Sequence, residues 1–317
     1  MIDDIIKVMK IAFFGTPSFA VVSLEVLVKS KHEVVCVVTQ PDKPVGRGGR
    51  VEFPPVKKVA LEHNIPVLQP HRISKELALL EQYKPDIIVT CAFGQMLRQN
   101  VLDLCKFGVI NVHASLLPKY RGASPIQHCI INGDKVTGVT IMQTDIGMDT
   151  GDIILVKEVE IGESETAGEL FERLAVVGAE ALLEALEEIE QGVAKRVPQN
   201  HADATHYPML NKEDGRIDFS KTAQQIRNQI RGMNPWPIAF FEYKGEVVRV
   251  YSASVSNKEE VAEKVVGEVV RADKSGLAVQ CGEGILFIEK IQASGGKVLS
   301  ARDFLNGKRI EVGEIFA

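Results

Sequence analysis

The sequence predicts an α/β chain: a doubly wound, mostly parallel sheet followed by a smaller β-rich domain, with boundaries at 1–191, a linker at 192–208, and 209–317. Three observations carry this. Apolar β-branched runs alternate with stretches of helical period through the first half, periodicity stops between Gly192 and Leu210, and short strand runs broken by Gly and Lys/Glu turns fill the remainder. Lys10–Phe14 (KIAFF) opens as a strand ending at Gly15, and Ser18–Lys29 follows as a helix. Glu33–Thr39 is a second strand, Pro55–Glu62 a helix, Val67–Leu68 a brief strand and Ser74–Gln82 a helix. Asp86–Cys91 and Val109–Val112 are near-continuous apolar runs, as strands of a parallel sheet covered on both faces are. Gly138–Gln143 and Ile153–Val159 are two more strands, joined by TDIGMDTGD. Thr166 with Glu169 forms a capping box; Leu170, Leu174, Val177, Ala181, Leu182, Ala185 and Ile189 then line one helical face, and Gly192 closes it. Beyond the linker come a helix at Ser220–Gly232 and strand runs from FFEYKG to GILFIEKIQ, the spacing of a small β-barrel or sandwich. Trp236, between two prolines, is expected to be a core residue at the domain interface.

Composition narrows the function classes. The chain has 317 residues, 45% hydrophobic and 25% charged, with a net charge of −5, which excludes a protein that grips nucleic acid by bulk charge alone. Charge is uneven: residues 208–317 sum to +1 and the rest to −6. Within that acidic part, Gln40–Lys58 is a Gly/Pro-rich loop of net +3 carrying Lys43, Arg47, Arg50, Lys57 and Lys58. No apolar run approaches the roughly 18 residues of a membrane span. The opening MIDDIIKVMKIAFFG lacks the pattern of a secretory leader, and the five cysteines are scattered, so a cytoplasmic location with reduced thiols is expected.

The turn after the first strand, GTPSF, is not GxGxxG, and GRGGR lacks the GK[ST] ending of a P-loop, which disfavours NAD and ATP. The seven histidines show no metal-binding spacing. The richest segment is VINVHASLLPKYRGASPI, where Asn111 and His113 share one face at the carboxyl end of a strand, the edge where open α/β sheets collect ligands. A bland reading stands beside this one: Asn111 caps a loop and His113 satisfies a backbone carbonyl. Asp145, Asp149 and Asp152 in TDIGMDTGD read equally as a solvated turn, and their spacing does not match a calcium loop. Taken together, an amide, an imidazole and a carboxylate at strand ends suit acyl transfer to an amine through a tetrahedral intermediate. Ser115 is not in a GxSxG setting, so direct transfer is expected, with no covalent enzyme intermediate.

From Met9 to the end the chain resembles the formyltetrahydrofolate-dependent transferases, and within them the methionyl-tRNA formyltransferases. MIDDIIKV precedes the point where that resemblance starts. N-x-H followed by SLLP and a downstream Asp is the shared pattern, mapping onto Asn111, His113, Ser115–Pro118 and Asp149. The resemblance implies that Asn111 and His113 stabilise the formyl oxyanion while Asp149 sets the protonation of His113 and assists proton removal. It implies a folate site lined by Ser115, Leu116, Leu117 and Pro118, supported by Phe93, Gly94, Gln95 and Met96, with plain packing the competing reading for Phe93 and Met96. It further implies 10-formyltetrahydrofolate as donor, no metal, methionyl initiator tRNA as acceptor and a bacterial setting; a monomer is expected. QPDKPVGRGGR resembles the family's basic tRNA-reaching insertion, giving Lys43, Arg47 and Arg50. RNQIRGMNPWPIAFF resembles the start of its OB-like C-terminal barrel, where Arg227, Arg231 and Lys244 would orient tRNA. A relative formylating a small amine such as a nucleotide sugar, and a non-catalytic folate- or RNA-binding relative, are the rivals. On the tRNA reading, Arg47→Ala should raise KM for charged initiator tRNA steeply and leave donor use unchanged in steady-state kinetics; equal loss on both substrates would signal misfolding.

Overall fold

The structure, a computed structural model, describes residues 8–45, 50–256 and 265–316; Arg47 and the stretch before Val8 lie outside the described residues. Its contacts divide it into two units. Met1–Gly122, Thr137–Glu160 and Phe171–His206 make one, and Ala123–Val136, Ile161–Leu170 and Tyr207–Ala317 the other.

A seven-stranded sheet runs through the first unit: β1 (Lys10–Gly15), β2 (Glu33–Val38), β3 (Val67–Leu68), β4 (Ile87–Cys91), β5 (Val109–His113), β6 (Val136–Gln143) and β7 (Ile153–Glu160), in the order β7-β6-β5-β4-β1-β2-β3. The pairs β1–β2, β2–β3, β1–β4 and β4–β5 are parallel, and β6 returns antiparallel to β5. All five residues of β4 are buried, which explains its nearly continuous apolar character. The chain winds outward from β1 to β3, then crosses to the other side of β1, so the order reverses between β1 and β4. Side chains past their carboxyl ends are stapled there: Thr16 Oγ1 (3.2 Å) and Gln40 Nε2 (3.1 Å) both donate to the Phe93 carbonyl.

The helices Ser18–Lys29 and Pro55–Glu62 form where their spacing predicts. Ser74–Gln82 does not form one helix. Glu76 leaves helical dihedrals at φ −120°, and a 3₁₀ turn at Ile73–Lys75 is followed by a single turn at Ala78–Glu81. The Thr166–Glu169 capping box is present: the Thr166 backbone N–H donates to Glu169 Oε2 (2.9 Å), and the Glu169 N–H donates to Thr166 Oγ1 (3.3 Å). The long helix then runs Ala167–Gln191, with Gly192 at φ +73° beyond it. The stretch read as a linker is in fact fastened to the first unit as far as His206. Val197 exchanges backbone bonds with Ile153 of β7 (2.8 and 2.9 Å), and Gln199 is buried. Gln199 and Thr205 bond backbone groups of the first unit, which composition alone does not reveal.

In the second unit an antiparallel sheet of β8 (Ala239–Tyr243), β9 (Glu246–Ser256), β10 (Val269–Asp273), β11 (Gly276–Gln280) and β12 (Ile285–Ala293) has the order β8-β9-β12-β11-β10, with the short β13 (Leu299–Ser300) beside β12. Its core holds Phe219, Phe241 and Phe316, the last two stacked at 4.4 Å, with the helix Ala223–Gly232 capped by a Thr222/Gln225 box. Trp236, expected in the core, is 48% exposed.

Gly138 of β6 sits where a Cβ would lie 2.1 Å from the Lys157 carbonyl oxygen and 2.5 Å from Leu116 Cδ2. The first neighbour is backbone and cannot swing aside. Gly138→Ala is therefore expected to cost about 1–3 kcal/mol, read as a lowered midpoint in urea unfolding; an unchanged midpoint would contradict the close approach of β6 to β7.

Candidate active site

The carboxyl end of β5 presents Asn111 and His113 two residues apart, hence on one face. Asn111 pairs across to Thr90 of β4, whose hydroxyl donates to Asn111 Oδ1 at 2.8 Å. With its oxygen so engaged, the Asn111 amide turns its N–H groups elsewhere, as a donor to a developing oxyanion must. His113 is buried, and its Nε2 lies 3.0 Å from the Tyr120 carbonyl. A carbonyl only accepts, so Nε2 carries the hydrogen and Nδ1 is left to face Asp149 Oδ1 at 3.7 Å. One ring nitrogen of His113 thus satisfies a backbone carbonyl, and the other faces the Asp149 carboxylate.

Asp149 reaches that place from the loop between β6 and β7, with φ +56°. Left-handed backbone is strained for a residue with a side chain, and such strain clusters at functional sites. Its Oδ2 accepts from the Gly122 N–H at 2.8 Å. Tyr120–Gly122 therefore grips both groups, one through a carbonyl and one through an N–H, and Tyr120 is itself left-handed at φ +59°. Asp145 is engaged in its own loop, accepting from Thr150 Oγ1 at 2.6 Å.

The SLLP segment is shaped from within. Ser115 is fully buried and its Oγ donates to the Lys119 carbonyl (2.7 Å); Thr140 Oγ1 donates to the Ser115 carbonyl (2.7 Å) and accepts from the Leu117 N–H (3.2 Å). Ser115 thus sets the turn, while Leu116 and Pro118 remain partly exposed. After β4, Phe93 is buried against Phe14 at 5.0 Å, matching the packing reading. Gln95 is spent at both ends, accepting from the Ile73 N–H (3.1 Å) and donating to the Pro70 carbonyl (3.2 Å). Gly94 takes φ +80°, and Met96 beyond it is 58% exposed. Ile146 and Met148, in the loop that carries Asp149, are exposed as well. Among the described residues no cluster of His, Cys, Asp and Glu could hold a metal.

Two family models match this chain: "Formyl transferase" over residues 9–186 and "Formyl transferase, C-terminal domain" over 209–309. The chain belongs to the formyl transferase family. Methionyl-tRNA formyltransferase of Alkaliphilus oremlandii is 50% identical, and that of Acetivibrio thermocellus 47%, each over 97% of this chain and 99% of the relative. The fold also matches a solved sugar 3N-formyl transferase, WlaRD (TM-score 0.66, 21% identity, 90% of this chain and 98% of that one). It likewise matches an N-formyltransferase from Helicobacter canadensis solved with folinic acid and dTDP-3-aminofucose (TM-score 0.66, 22% identity, 88% and 98%).

Of the residues that the sequence reading expects to meet RNA, Lys43 is exposed on a hairpin in which Lys43–Val45 pairs with Arg50–Glu52. Lys57 is spent on Asp42 (2.6 Å) and Lys58 on Glu52 (3.0 Å). Arg231 requires correction. It is buried, donating to the carbonyls of Gly162 and Glu165 (3.2 Å each) and to Asn228 Oδ1 (3.1 Å), so its guanidinium braces protein segments and has no face for a phosphate. Arg227 lies against Ser164 (3.2 Å) and Glu163 (4.0 Å), and Lys244 is paired with Glu314 at 2.7 Å. Reading the sequence missed Thr90, Gly122 and Gln199; only Gly122 carried a signal, lying inside the segment that had drawn attention.

All five cysteines are free and buried, and burial pushes the thiols of Cys36, Cys91, Cys105 and Cys281 up to about 12. Only a thiolate attacks, and at pH 8 about one such thiol in 10⁴ is ionised. Iodoacetamide at pH 8 should leave these cysteines intact in the native formyl transferase and modify them within minutes in 6 M guanidinium, counted by mass spectrometry. Rapid native labelling would contradict their burial.

Proposed function

We propose that this chain transfers the formyl group of 10-formyltetrahydrofolate to the α-amino group of methionyl initiator tRNA, as a cytoplasmic bacterial enzyme of translation initiation acting as a monomer. The amine nitrogen attacks the formyl carbon, and the carbonyl oxygen takes the negative charge. Asn111, its oxygen held by Thr90, donates to that oxyanion, and His113 donates from Nδ1 when protonated. Asp149 holds the imidazolium and assists removal of the amine proton; the bond to folate N10 then breaks, and N10 takes a proton. SLLP and Met96 would flank the folate ring, and Lys43, Arg47 and Arg50 the acceptor arm. Residues 1–191 are read as the catalytic part and 209–317 as an OB-like barrel that orients tRNA, chiefly through Arg227 and Lys244.

The observation that carries this reading is the pairing of His113 Nδ1 with a carboxylate at 3.7 Å, next to an amide whose N–H groups meet no acceptor among the described residues. Full-length identity of 47–50% with methionyl-tRNA formyltransferases favours the tRNA acceptor over the sugar that the structural neighbours' names suggest. The basic loop favours it too. Asn111→Ala and Asp149→Ala should keep their unfolding midpoints yet lose about 10²–10³ in turnover with charged initiator tRNA and formyl donor at saturation. Near-wild-type turnover in either variant, or formylation of an aminosugar nucleotide in preference to charged tRNA, would overturn the reading.

A further inference from the structure

Asp149 holds a left-handed backbone conformation, φ +56°, that a non-glycine residue keeps only where its surroundings enforce it. The Gly122 N–H fixes its carboxylate, but a second contact fixes the turn itself. Gln199 Nε2 donates to the Asp149 carbonyl at 2.9 Å and to the Gly151 carbonyl at 2.7 Å. Across the same amide, Oε1 accepts from Arg121 Nε at 3.1 Å and Nη2 at 2.6 Å. Both side chains are buried, Gln199 at 7% and Arg121 at 2% exposed. The partners of the Arg121 guanidinium are this amide oxygen and His201 Nδ1 at 3.0 Å; no ion pair with a carboxylate accompanies them among the described residues. A buried cation without a counter-charge is expensive, and a neutral amide is a poor return if stability were the only gain. What the cation does is orient. A guanidinium can only donate, so Gln199 must turn its oxygen toward Arg121 and its NH₂ toward the loop.

The geometry points to Gln199 as a positioning residue of formyl transfer: oriented by Arg121, it clamps the left-handed turn at Asp149 and so keeps the carboxylate beside His113. This rests on the role given to Asp149 above and extends it to a residue 50 positions away in the chain.

Gln199→Glu separates positioning from stability. The carboxylate keeps an acceptor for Arg121, turning the contact into an ion pair, while both donors to the loop are lost. In the full-length protein the unfolding midpoint should stay within a few degrees, KM for donor and for charged tRNA should change less than about threefold, and kcat should fall about 10–100-fold. In an Asp149→Asn background the same change should lower kcat by no more than about twofold, since the group it positions is already disabled. If Gln199→Glu destabilises the fold by more than a few degrees, Arg121→Gln serves as the second variant: it removes the buried charge, frees the amide to flip, and should give the same loss in kcat alone. Wild-type kcat in the folded variant, a loss confined to KM, or losses that multiply with Asp149→Asn would each overturn the inference. Wild-type turnover of Asp149→Asn by itself would instead overturn the role of Asp149, and the positioning role with it.

Discussion

Tyr120, Arg121 and Gly122 form the short segment that holds His113 and Asp149, the two groups to which we assign the chemistry. The Tyr120 carbonyl fixes the hydrogen of His113 on Nε2, and the Gly122 N–H fixes one oxygen of Asp149 at 2.8 Å. The imidazole and the carboxylate come from different strands and loops, yet they are referred to one short backbone segment, so their separation is set by peptide geometry and not by long side chains. That segment is itself anchored, the Tyr120 N–H donating to Thr205 Oγ1 at 2.8 Å and the Arg121 N–H to the Thr205 carbonyl at 2.9 Å. Rigid referencing of this kind matters because errors of an ångström in a reacting geometry are costly.

Positive charge is used in three ways. In the loop after β2, carboxylates pair two lysines, while the sequence of that loop keeps a formal net charge of +3, which makes an acidic unit locally attractive to polyanions. In the second unit, Arg231 gives its donors to backbone carbonyls, and Lys244 with Tyr243 holds the Glu314 carboxyl down to about 2. Inside the first unit, Arg121 orients an amide. Counting basic residues cannot distinguish these uses, because what differs is the set of acceptors each side chain meets.

Local pattern sufficed for the parallel strands, the Thr166–Glu169 capping box and the residues of the β5 terminus, because burial on two faces, a three-residue spacing and alternation along a strand are all local properties. The partnership of His113 with Asp149 was legible as two motifs, but only folding joins them across 36 positions. Gln199 was illegible: a polar residue among prolines and histidines looks like solvent-exposed chain, and its burial depends on Ile153 and Arg121, which are distant in sequence. Trp236 failed in the opposite direction. A large aromatic between prolines looks like core, yet Phe219, Phe241 and Phe316 already fill that volume.

The fastening of residues 192–206 onto β7 changes what counts as a minimal catalytic fragment. A chain severed after the long helix, at the break in periodicity, would keep every residue of the N-x-H and SLLP motifs. It would also lose the bridge from Val197 to Ile153 and the buried amide that rests against the Asp149 turn. Where a protein can be divided is thus decided by the reach of its hydrogen bonds, and here that reach extends past the last helix of the fold that carries the chemistry.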